Sequence, residues 1–417
     1  MKPRTQPETK TEQILILGGG YAGMIAAARI ARAADTSSPV AVTLIDAKPD
    51  FVQRIRLHEI LAGRSPETLA YAPLLAKRGV AFLQARAESI DPATRRVVAR
   101  GMDGRSVELR YDRLILALGS TTAPGVSGVV EHTVRLDDPA ALQGVFQRLH
   151  NGGGAGARIL VAGAGLTGIE TAAELAEHFP ELQVTLATRG RLGDGFSPAG
   201  AEHLRRSLTA RGVILREEIQ ITAVEPGRAI VAGSAPLPFD LCLWCGGFAA
   251  SPLARQAGLA VDACGRVRTD ETLRVLGHPE IFAAGDSAAA PAAGSPGVRM
   301  GCNSALPMGA QAGENVVRAL RGEEPAPFDM AFAVRCISLG RRDGLVQHVT
   351  GDDRPRDRVW TGRLAVLVKE LICRMTLFVV RWELRAGLRL YRWPRMGRGL
   401  IQSAASRSAG EARHLPG

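Results

Sequence analysis

The chain has 417 residues, of which 46% are hydrophobic and 22% charged, so it is long enough for two or three globular domains. The formal net charge of +11 is concentrated at one end: residues 354–417 contain 14 lysines and arginines against 4 acids, and the rest of the chain is nearly neutral. This distribution argues against a nucleic-acid-binding body and is typical of a basic tail that meets phosphate groups or an anionic membrane surface. No apolar run has the length of a transmembrane helix or the form of a signal peptide, and six scattered cysteines favour a reducing cytoplasm.

A glycine-rich turn follows the first apolar run of the chain. Residues 14–17 predict a buried parallel strand, and residues 24–34 predict a helix. Between them Gly18, Gly20 and Gly23 have G-x-G-x-x-G spacing, which allows a tight turn, a close approach of backbone to a pyrophosphate, and close packing of helix on strand. The next predicted strand ends at Asp46, where such folds place a carboxylate for a ribose hydroxyl. The sequence therefore predicts a dinucleotide site here, to which we also assign Tyr21, Ala22 and Ala47.

The segment that follows contains further candidates for contacts with the cofactor. A strand that ends at Gly119 would let the backbone approach a cofactor, and Ala87 lies on the strand predicted from residue 80. Arg54 and Arg56 suit either cofactor phosphates or an anionic substrate, or else a solvated basic helix, and these interpretations stay open. We interpret His58 as structural, because no residue nearby in the sequence is a partner for it.

The opening pattern is repeated 145 residues further along. A predicted strand at residues 158–161 leads into a second G-x-G-x-x-G motif and a second helix that carries Glu170. Two dinucleotide folds in one chain imply two bound dinucleotides, and redox chemistry is the commonest reason to hold two together. The residues assigned to this second site are Gly163, Gly165, Leu166, Thr167 and Gly168.

The second fold differs from the first at the end of its second strand. Thr188 occupies the place where an acid would bind the ribose 2′-hydroxyl, and Arg189 and Arg191 follow it as two arginines available for a 2′-phosphate, which favours NADPH or no strong preference. Further on, Cys242 and Cys245 are read as structural members of a strand, which Gly246 closes beside the cofactor. We predict no metal site.

A later apolar strand ends in Gly285 and Asp286, and this carboxylate is well placed to accept a hydrogen bond from a polyol. A helix is then predicted through Leu320, and Ala305 and Leu306 near its start are further candidates for contacts with the cofactor.

The C-terminal part changes character. A hairpin is predicted at residues 332–339 and 345–349, followed by a helix from Arg363 to Tyr391. Five arginines fall on one predicted stripe of this helix and five apolar residues on the next, which favours a helix lying in a membrane interface over one packed on the body with a solvated basic face. The two sets are Arg374, Arg381, Arg385, Arg389 and Arg392, and Val368, Ile372, Met375, Val379 and Trp382.

These motifs, in this order, resemble the two-dinucleotide-binding flavoproteins of the pyridine nucleotide-disulfide oxidoreductase fold. The resemblance implies an α/β architecture of two Rossmann-like domains: an FAD domain at residues 12–125 and 265–325, and an NAD(P)H domain inserted at 126–264. It implies that the first glycine motif and Asp46 hold the ADP half of FAD, that Asp286 holds the ribityl chain, and that the second motif holds NADH or NADPH. Residues 326–417 then form a C-terminal domain with the hairpin and basic helix.

Within that group the chain is most similar to the type II NADH dehydrogenases, single-chain NADH:quinone oxidoreductases of the membrane surface. The missing Cys-x4-Cys dithiol, Gly19 to Gly23, Glu170 and the basic C-terminus support this. In that family the glutamate matching Glu170 lies near the nicotinamide and quinone sites, and an Ala-Gln run matching Ala310 and Gln311 lines the quinone pocket. Here Asn315 replaces the second glutamine of that run, and Thr188 replaces the usual acid.

The sequence thus predicts an FAD-dependent NAD(P)H dehydrogenase that reduces a quinone, with Glu170 and Gln311 positioning the acceptor or supplying a proton. Residues 363–398 are expected to meet an anionic membrane surface from the cytoplasmic side, and a homodimer is left open. Two alternatives remain: a soluble reductase or oxidase of a small metabolite or ferredoxin-like carrier, and a redox-sensing flavoprotein without turnover.

Overall fold

The first segment of the chain forms most of a large sheet. The structure, a computed structural model, describes residues 11–34, 39–123, 125–291 and 298–396. The predicted strand, glycine turn and helix open the fold, and a 3-10 helix spans Arg54–Ala62. The elements are β1 (Glu12–Leu17), α1 (Tyr21–Ala34), β2 (Val40–Asp46), β3 (Asp50–Val52), β4 (Thr68–Ala70), α2 (Tyr71–Ala76), β5 (Val80–Asp91), β6 (Arg96–Gly101), β7 (Ser106–Arg110), β8 (Arg113–Leu116) and β9 (Ser120–Thr122).

The middle segment repeats this plan around a five-stranded sheet with the order β10-β17-β11-β12-β13, all parallel. Strands β9 and β18, which lead into and out of it, pair antiparallel. Its elements are α3 (Val129–His132), β10 (Val134–Arg135), α4 (Pro139–Arg148), β11 (Arg158–Ala162), α5 (Leu166–His178), β12 (Gln183–Ala187), α6 (Pro198–Thr209), β13 (Ile214–Arg216), β14 (Ile221–Glu225), β15 (Arg228–Val231), β16 (Leu237–Pro238), β17 (Leu241–Trp244), β18 (Phe248–Ala250) and α7 (Leu253–Gln256).

The chain then returns to the first sheet and ends in a hairpin and a long helix. Strand β21 pairs parallel with β8, which completes the order β20-β21-β8-β1-β2-β5-β6-β7. The remaining elements are β19 (Val267–Arg268), β20 (Arg274–Val275), β21 (His278–Ala283), β22 (Ala288–Ala289), α8 (Cys302–Leu320), β23 (Val334–Ser338), β24 (Gly344–Val349), β25 (Pro355–Thr361) and α9 (Gly362–Ala386).

Two glycines hold α8 close against α1. A Cβ atom on Gly309 would lie 2.2 Å from the backbone oxygen of Ala22, and one on Gly313 would lie 2.8 Å from that of Ala26. Backbones in such contact leave no space for side chains, so these positions require glycine. This packing carries the start of α8 to the glycine turn of the first motif.

The predicted hairpin is present as β23 and β24, and it gains a third strand, β25. The predicted extent of the final helix is wrong at its C-terminal end. Helix α9 stops at Ala386, where Gly387 takes a left-handed conformation with φ +66° and its N–H donates to the oxygen of Glu383 at 3.0 Å. A glycine in this conformation is a common helix terminator.

This early end corrects the prediction of a single stripe of five arginines. Arg389 and Arg392 lie beyond the helix, and Arg389 forms an ion pair of 2.9 Å with Glu314. Arg381 is also paired, with Glu67. The predicted apolar stripe is wrong in part, because Val379 is buried in the core.

The outward face of α9 instead carries a different apolar row at helical spacing: Leu364, Leu367, Leu371, Met375, Phe378 and Trp382, each 41% exposed or more. No helix among the described residues is long and apolar enough to cross a membrane, and residues 397–417, with the end of the predicted tail, lie outside the described part.

Candidate active site

In the first glycine turn two glycines, Gly18 and Gly23, pack against backbone, and the third, Gly20, faces open space. A Cβ on Gly18, which has φ +102°, would lie 2.3 Å from the oxygen of Ala117, and one on Gly23 would lie 1.9 Å from the oxygen of Gly18. Around Gly20, in contrast, nothing lies within 4 Å of that position. The turn therefore packs tightly at two points and faces free space at the third, beside the N-terminus of α1, as a pyrophosphate site requires.

Asp46 lies at the carboxyl end of β2, beside this turn. Its Oδ2 accepts a hydrogen bond of 2.7 Å from the N–H of Gly19, and its Oδ1 accepts one of 2.9 Å from the N–H of Lys48. Ala47 follows Asp46. Ala87 is half-buried on β5, which lies next to β2 in the sheet. The carboxylate is thus held next to the glycine turn, in the place where a ribose hydroxyl is bound in this fold.

A second group of predicted residues meets at the carboxyl ends of β8 and β21. Asp286 accepts from the hydroxyl of Ser120 at 2.7 Å and from the N–H of Gly301 at 2.9 Å. The guanidinium of Arg54 donates to the backbone oxygen of Ser120, and the N–H of Gly119 donates to the hydroxyl of Ser287 at 2.9 Å. One edge of the sheet therefore brings together a cation, a carboxylate and a glycine turn.

The turn at Gly285 joins this group to the glycine motif. A Cβ there would lie 3.2 Å from the Cβ of Ala22 and 3.4 Å from that of Ala305, which precedes the buried Leu306 on α8. Nearby, the side chain of Tyr21 is buried, and burial raises the pKa of this phenol. The residues fit FAD lying from Asp46 to Asp286.

In the second glycine turn, too, two glycines pack against backbone and one faces open space. A Cβ on Gly168 would lie 1.8 Å from the oxygen of Gly163, and one on Gly163 would lie 2.8 Å from the nitrogen of Gly246. Nothing lies within 4 Å of the corresponding position on Gly165. Leu166 and Thr167 open α5 directly after this free space, and Thr188 and Arg189 follow the end of β12. This site fits the pyrophosphate of a second dinucleotide.

Glu170, on the first turns of α5, is buried at the junction of three parts of the chain. Its Oε1 accepts a hydrogen bond of 3.1 Å from the N–H of Ser338 and forms an ion pair with the ammonium of Lys369 on α9. Its Oε2 lies 3.6 Å from Nδ1 of His58. A carboxylate that belongs to the nucleotide fold is thereby enclosed by the 3-10 helix, the hairpin and the final helix.

Burial sets the protonation states of the two basic neighbours of Glu170. Burial, followed by the charge of Lys369 and three arginines, lowers the pKa of His58 well below its ordinary value, so this imidazole is neutral at physiological pH. Burial also lowers the pKa of Lys369 to about 8. A lysine poised near neutrality next to a buried carboxylate is the kind of pair that exchanges protons at functional sites.

Further ion pairs hold α9 over this cluster. Arg56 bridges Glu59 at 2.9 Å and Glu370 of α9 at 2.8 Å. Arg64 pairs with Glu59 and with Glu174 of α5. The final helix is therefore tied to the 3-10 helix through Glu370 and to the nucleotide fold through Lys369, while Arg64 joins the 3-10 helix to α5.

Sequence reasoning missed Lys369 and interpreted His58 without its partner. One signal was available: Lys369 is the only lysine among the 14 basic residues of 354–417. Arginine stays charged when buried, whereas lysine changes its pKa readily, so a single lysine in an arginine-rich segment marks a distinct requirement.

Gln311 belongs to a different network from Glu170. Its Nε2 donates to Oδ1 of Asn315 at 3.0 Å, and the amide of Asn315 donates to the backbone oxygens of Thr272 and Ala326 at 2.8 Å. Both side chains are buried. Asn315 fastens α8 to two loops, and the role of Gln311 at the acceptor site stays a prediction.

Two glycine turns with open central positions, a carboxylate beside the first and a second carboxylate at the far edge of the sheet define a two-dinucleotide flavoprotein that uses a nicotinamide cofactor. The chain belongs to the pyridine nucleotide-disulphide oxidoreductase family, whose family model matches residues 12–312. The predicted family resemblance and α/β fold are confirmed.

Two curated relatives and one solved structure illustrate the similarity. An NADH dehydrogenase-like protein of Mycobacterium tuberculosis is 32% identical over 348 residues, covering 79% of this chain and 86% of the relative. A demethylphylloquinone reductase of Synechocystis is 30% identical over 66% of this chain and 72% of its own length. The structure of NDH2 from Plasmodium falciparum in complex with NADH superposes with a TM-score of 0.73 at 15% identity, over 91% of this chain and all of that one.

Proposed function

We propose that the protein is an FAD-dependent NAD(P)H:quinone oxidoreductase that works at a membrane surface. The observation that carries this proposal is the position of α9, whose inner face brings Lys369 to the buried Glu170 and whose outer face is apolar and exposed. The names of the relatives support a nicotinamide donor and a quinone acceptor.

The proton balance gives Glu170 a task. NAD(P)H supplies two electrons and one proton as hydride, and a quinone needs two electrons and two protons to become a quinol. FAD, when bound, takes the hydride and passes the electrons to the acceptor. The second proton requires a donor near the acceptor, and we assign that transfer to the Glu170–Lys369 pair, in which the Lys369 ammonium carries the proton and the ionised Glu170 holds it in place.

Binding of the donor falls to the second glycine turn. The free space at Gly165 and the N–H groups at the start of α5 receive the pyrophosphate, while the first turn and Asp46 keep FAD in place. Because Glu170 lies on the same helix as this turn, one rigid element positions both the hydride donor and the carboxylate that holds the Lys369 ammonium.

The proposal is tested by turnover. Purified, FAD-loaded protein is mixed with NADH or NADPH and a soluble quinone, and both dinucleotide oxidation and quinol formation are measured. Equal amounts of oxidised dinucleotide and quinol are expected. A reduced flavin that is reoxidised only by oxygen or by a one-electron protein carrier would contradict the quinone assignment.

The outer face of α9 suits an anionic membrane surface. The apolar row from Leu364 to Trp382 is about 27 Å long at 1.5 Å per residue, and so covers most of the 25-residue helix. Arg363 and Arg385 are exposed beside it. Apolar residues on one face with flanking arginines are typical of helices that lie in the interface, from which a lipid-soluble quinone is available.

Substitutions test this surface directly. The double substitution Leu367→Asp and Leu371→Asp should abolish co-sedimentation with vesicles containing anionic lipid, while turnover with the soluble quinone persists. Met102→Asp, at an equally exposed apolar residue on the turn between β6 and β7, is the matched control and should bind like the parent. Unchanged binding of the double variant, or its loss of a homodimer in light scattering instead, would contradict the membrane assignment.

A further inference from the structure

The two dinucleotide folds share a backbone register that fixes which residue faces each adenosine ribose. In the first fold the N–H of Gly18 donates to the oxygen of Ile45 at 2.8 Å, and Asp46 comes next. In the second, the N–H of Gly163 donates to the oxygen of Ala187 at 2.7 Å, and Thr188 comes next. Thr188 therefore occupies the position of Asp46, and the second fold has a hydroxyl where the first has a carboxylate.

Two arginines lie on either side of this position. Arg189 follows Thr188, and Arg216 ends β13, which is paired with β12 so that Ala187 lies opposite Arg216. The N–H of Thr188 donates to the oxygen of Arg216 at 2.8 Å. Both arginine side chains are exposed, and neither has an acidic partner within the part of the chain that the structure describes.

The acids of this loop cluster, in contrast, already have partners. Glu217 pairs with Arg205 at 2.7 Å, and Glu218 pairs with Arg191 at 3.0 Å. Asp194 accepts the N–H of Arg191 at 2.8 Å. Glu217 and Glu218 are thus compensated by cations, whereas Asp194 accepts a backbone N–H and keeps its charge. With Arg189 and Arg216 set against Asp194, the region around Thr188 keeps a positive balance.

We infer that the second site selects NADPH over NADH, with Arg189 and Arg216 binding the 2′-phosphate and Thr188 replacing the carboxylate that would repel it. The inference rests on the proposed function, since it requires a nicotinamide dinucleotide at the second glycine turn. Guanidinium groups bind phosphate through paired hydrogen bonds, and an acid at this position is the feature that otherwise selects the free 2′-hydroxyl.

The test uses fragments that carry no redox group. Binding of adenosine 2′,5′-bisphosphate and adenosine 5′-monophosphate to the FAD-loaded full chain is measured by calorimetry. We expect the bisphosphate to bind at least tenfold more tightly, with a ratio that falls as salt is added. Arg189→Ala combined with Arg216→Ala should bring the ratio close to one, and Thr188→Asp should reverse it.

Arg206→Ala is the matched control, because Arg206 is an exposed arginine of the same sheet domain that is paired with Glu202 at 3.6 Å, and its loss should leave the ratio unchanged. Equal binding of the two fragments, or tighter binding of the monophosphate, would overturn the inference but leave the proposed function intact. Absence of binding by both fragments would overturn the donor site itself. Stopped-flow reduction by NADPH and by NADH then reports whether the same preference holds for hydride transfer.

Discussion

Replacing Lys369 by methionine removes the charge opposite Glu170 while keeping the length of the side chain. The two side chains are only 12% and 9% exposed. Removal of one member of a buried ion pair leaves an uncompensated charge and costs about 3–5 kcal/mol of stability. Glu170 would keep the N–H of Ser338 and the neutral His58 as neighbours, which do not compensate a full negative charge.

The double substitution Glu170→Gln with Lys369→Met removes both charges together. It should recover most of the loss seen in the single variant, because no buried charge is left without a partner. Turnover with quinone, in contrast, should stay low, since the double variant has no proton donor at this position. The double variant should therefore recover stability but not activity. If the ion pair had only a structural role, both would recover together.

Chemical denaturation of the FAD-loaded chain, followed by tryptophan fluorescence, measures the four members of this cycle. Arg374→Met is the control on the same helix, because Arg374 pairs with Glu370 at 2.8 Å but is 76% exposed, and its loss should cost less than about 1 kcal/mol. If Lys369→Met costs no more than this control, or if the double variant is as unstable as the sum of its parts, the assignment of a buried coupled pair is refuted.

Three further predictions concern the second glycine turn, the glycine contact between α8 and α1, and His58. Gly165→Ala should raise the KM for the nicotinamide dinucleotide at least tenfold without loss of FAD, because the added Cβ fills the free space of the second turn. An unchanged KM would contradict the assignment of that space to the dinucleotide. Gly168→Ala should instead disrupt the domain, because its Cβ would overlap the backbone of Gly163. Gly309→Ala should lower FAD occupancy by displacing α8 from Ala22, which absorbance of the purified protein reports. Because the pKa of His58 is lowered in the folded protein, the unfolded chain binds more protons than the folded one below pH 6.5. On acidification the parent's free energy of unfolding should therefore fall by up to about 1.4 kcal/mol per pH unit relative to that of His58→Gln. Parallel curves of stability against pH for the two proteins would contradict the lowered pKa.

Local signals in the sequence were sufficient for both glycine turns and for the strand ends at Asp46 and Asp286. Each glycine turn lies within one strand–turn–helix unit, and each carboxylate comes at the carboxyl end of a strand of the first sheet, so local patterns are enough to locate them. The paired folds and the family follow from these motifs, and the comparisons confirm them.

The environment of Glu170 was not predictable in the same way. Its partners come from the 3-10 helix, the hairpin and the last helix, and no sequence spacing encodes contacts between segments so far apart. The prediction of five arginines on one stripe of the final helix is wrong for a local reason: Gly387 ends the helix before Arg389. A glycine after a charged last turn is a stop signal for a helix, although the arginine spacing continues beyond it.

The central claim is that electrons pass from a nicotinamide dinucleotide through FAD to a quinone. Anaerobic stopped-flow absorbance with two successive mixings tests it most directly: NADPH is added first, and a soluble quinone second. The account predicts rapid loss of the oxidised flavin spectrum in the first mixing, followed by its full return with one quinol formed per flavin in the second. Reduction of the flavin without reoxidation by the quinone would contradict the account.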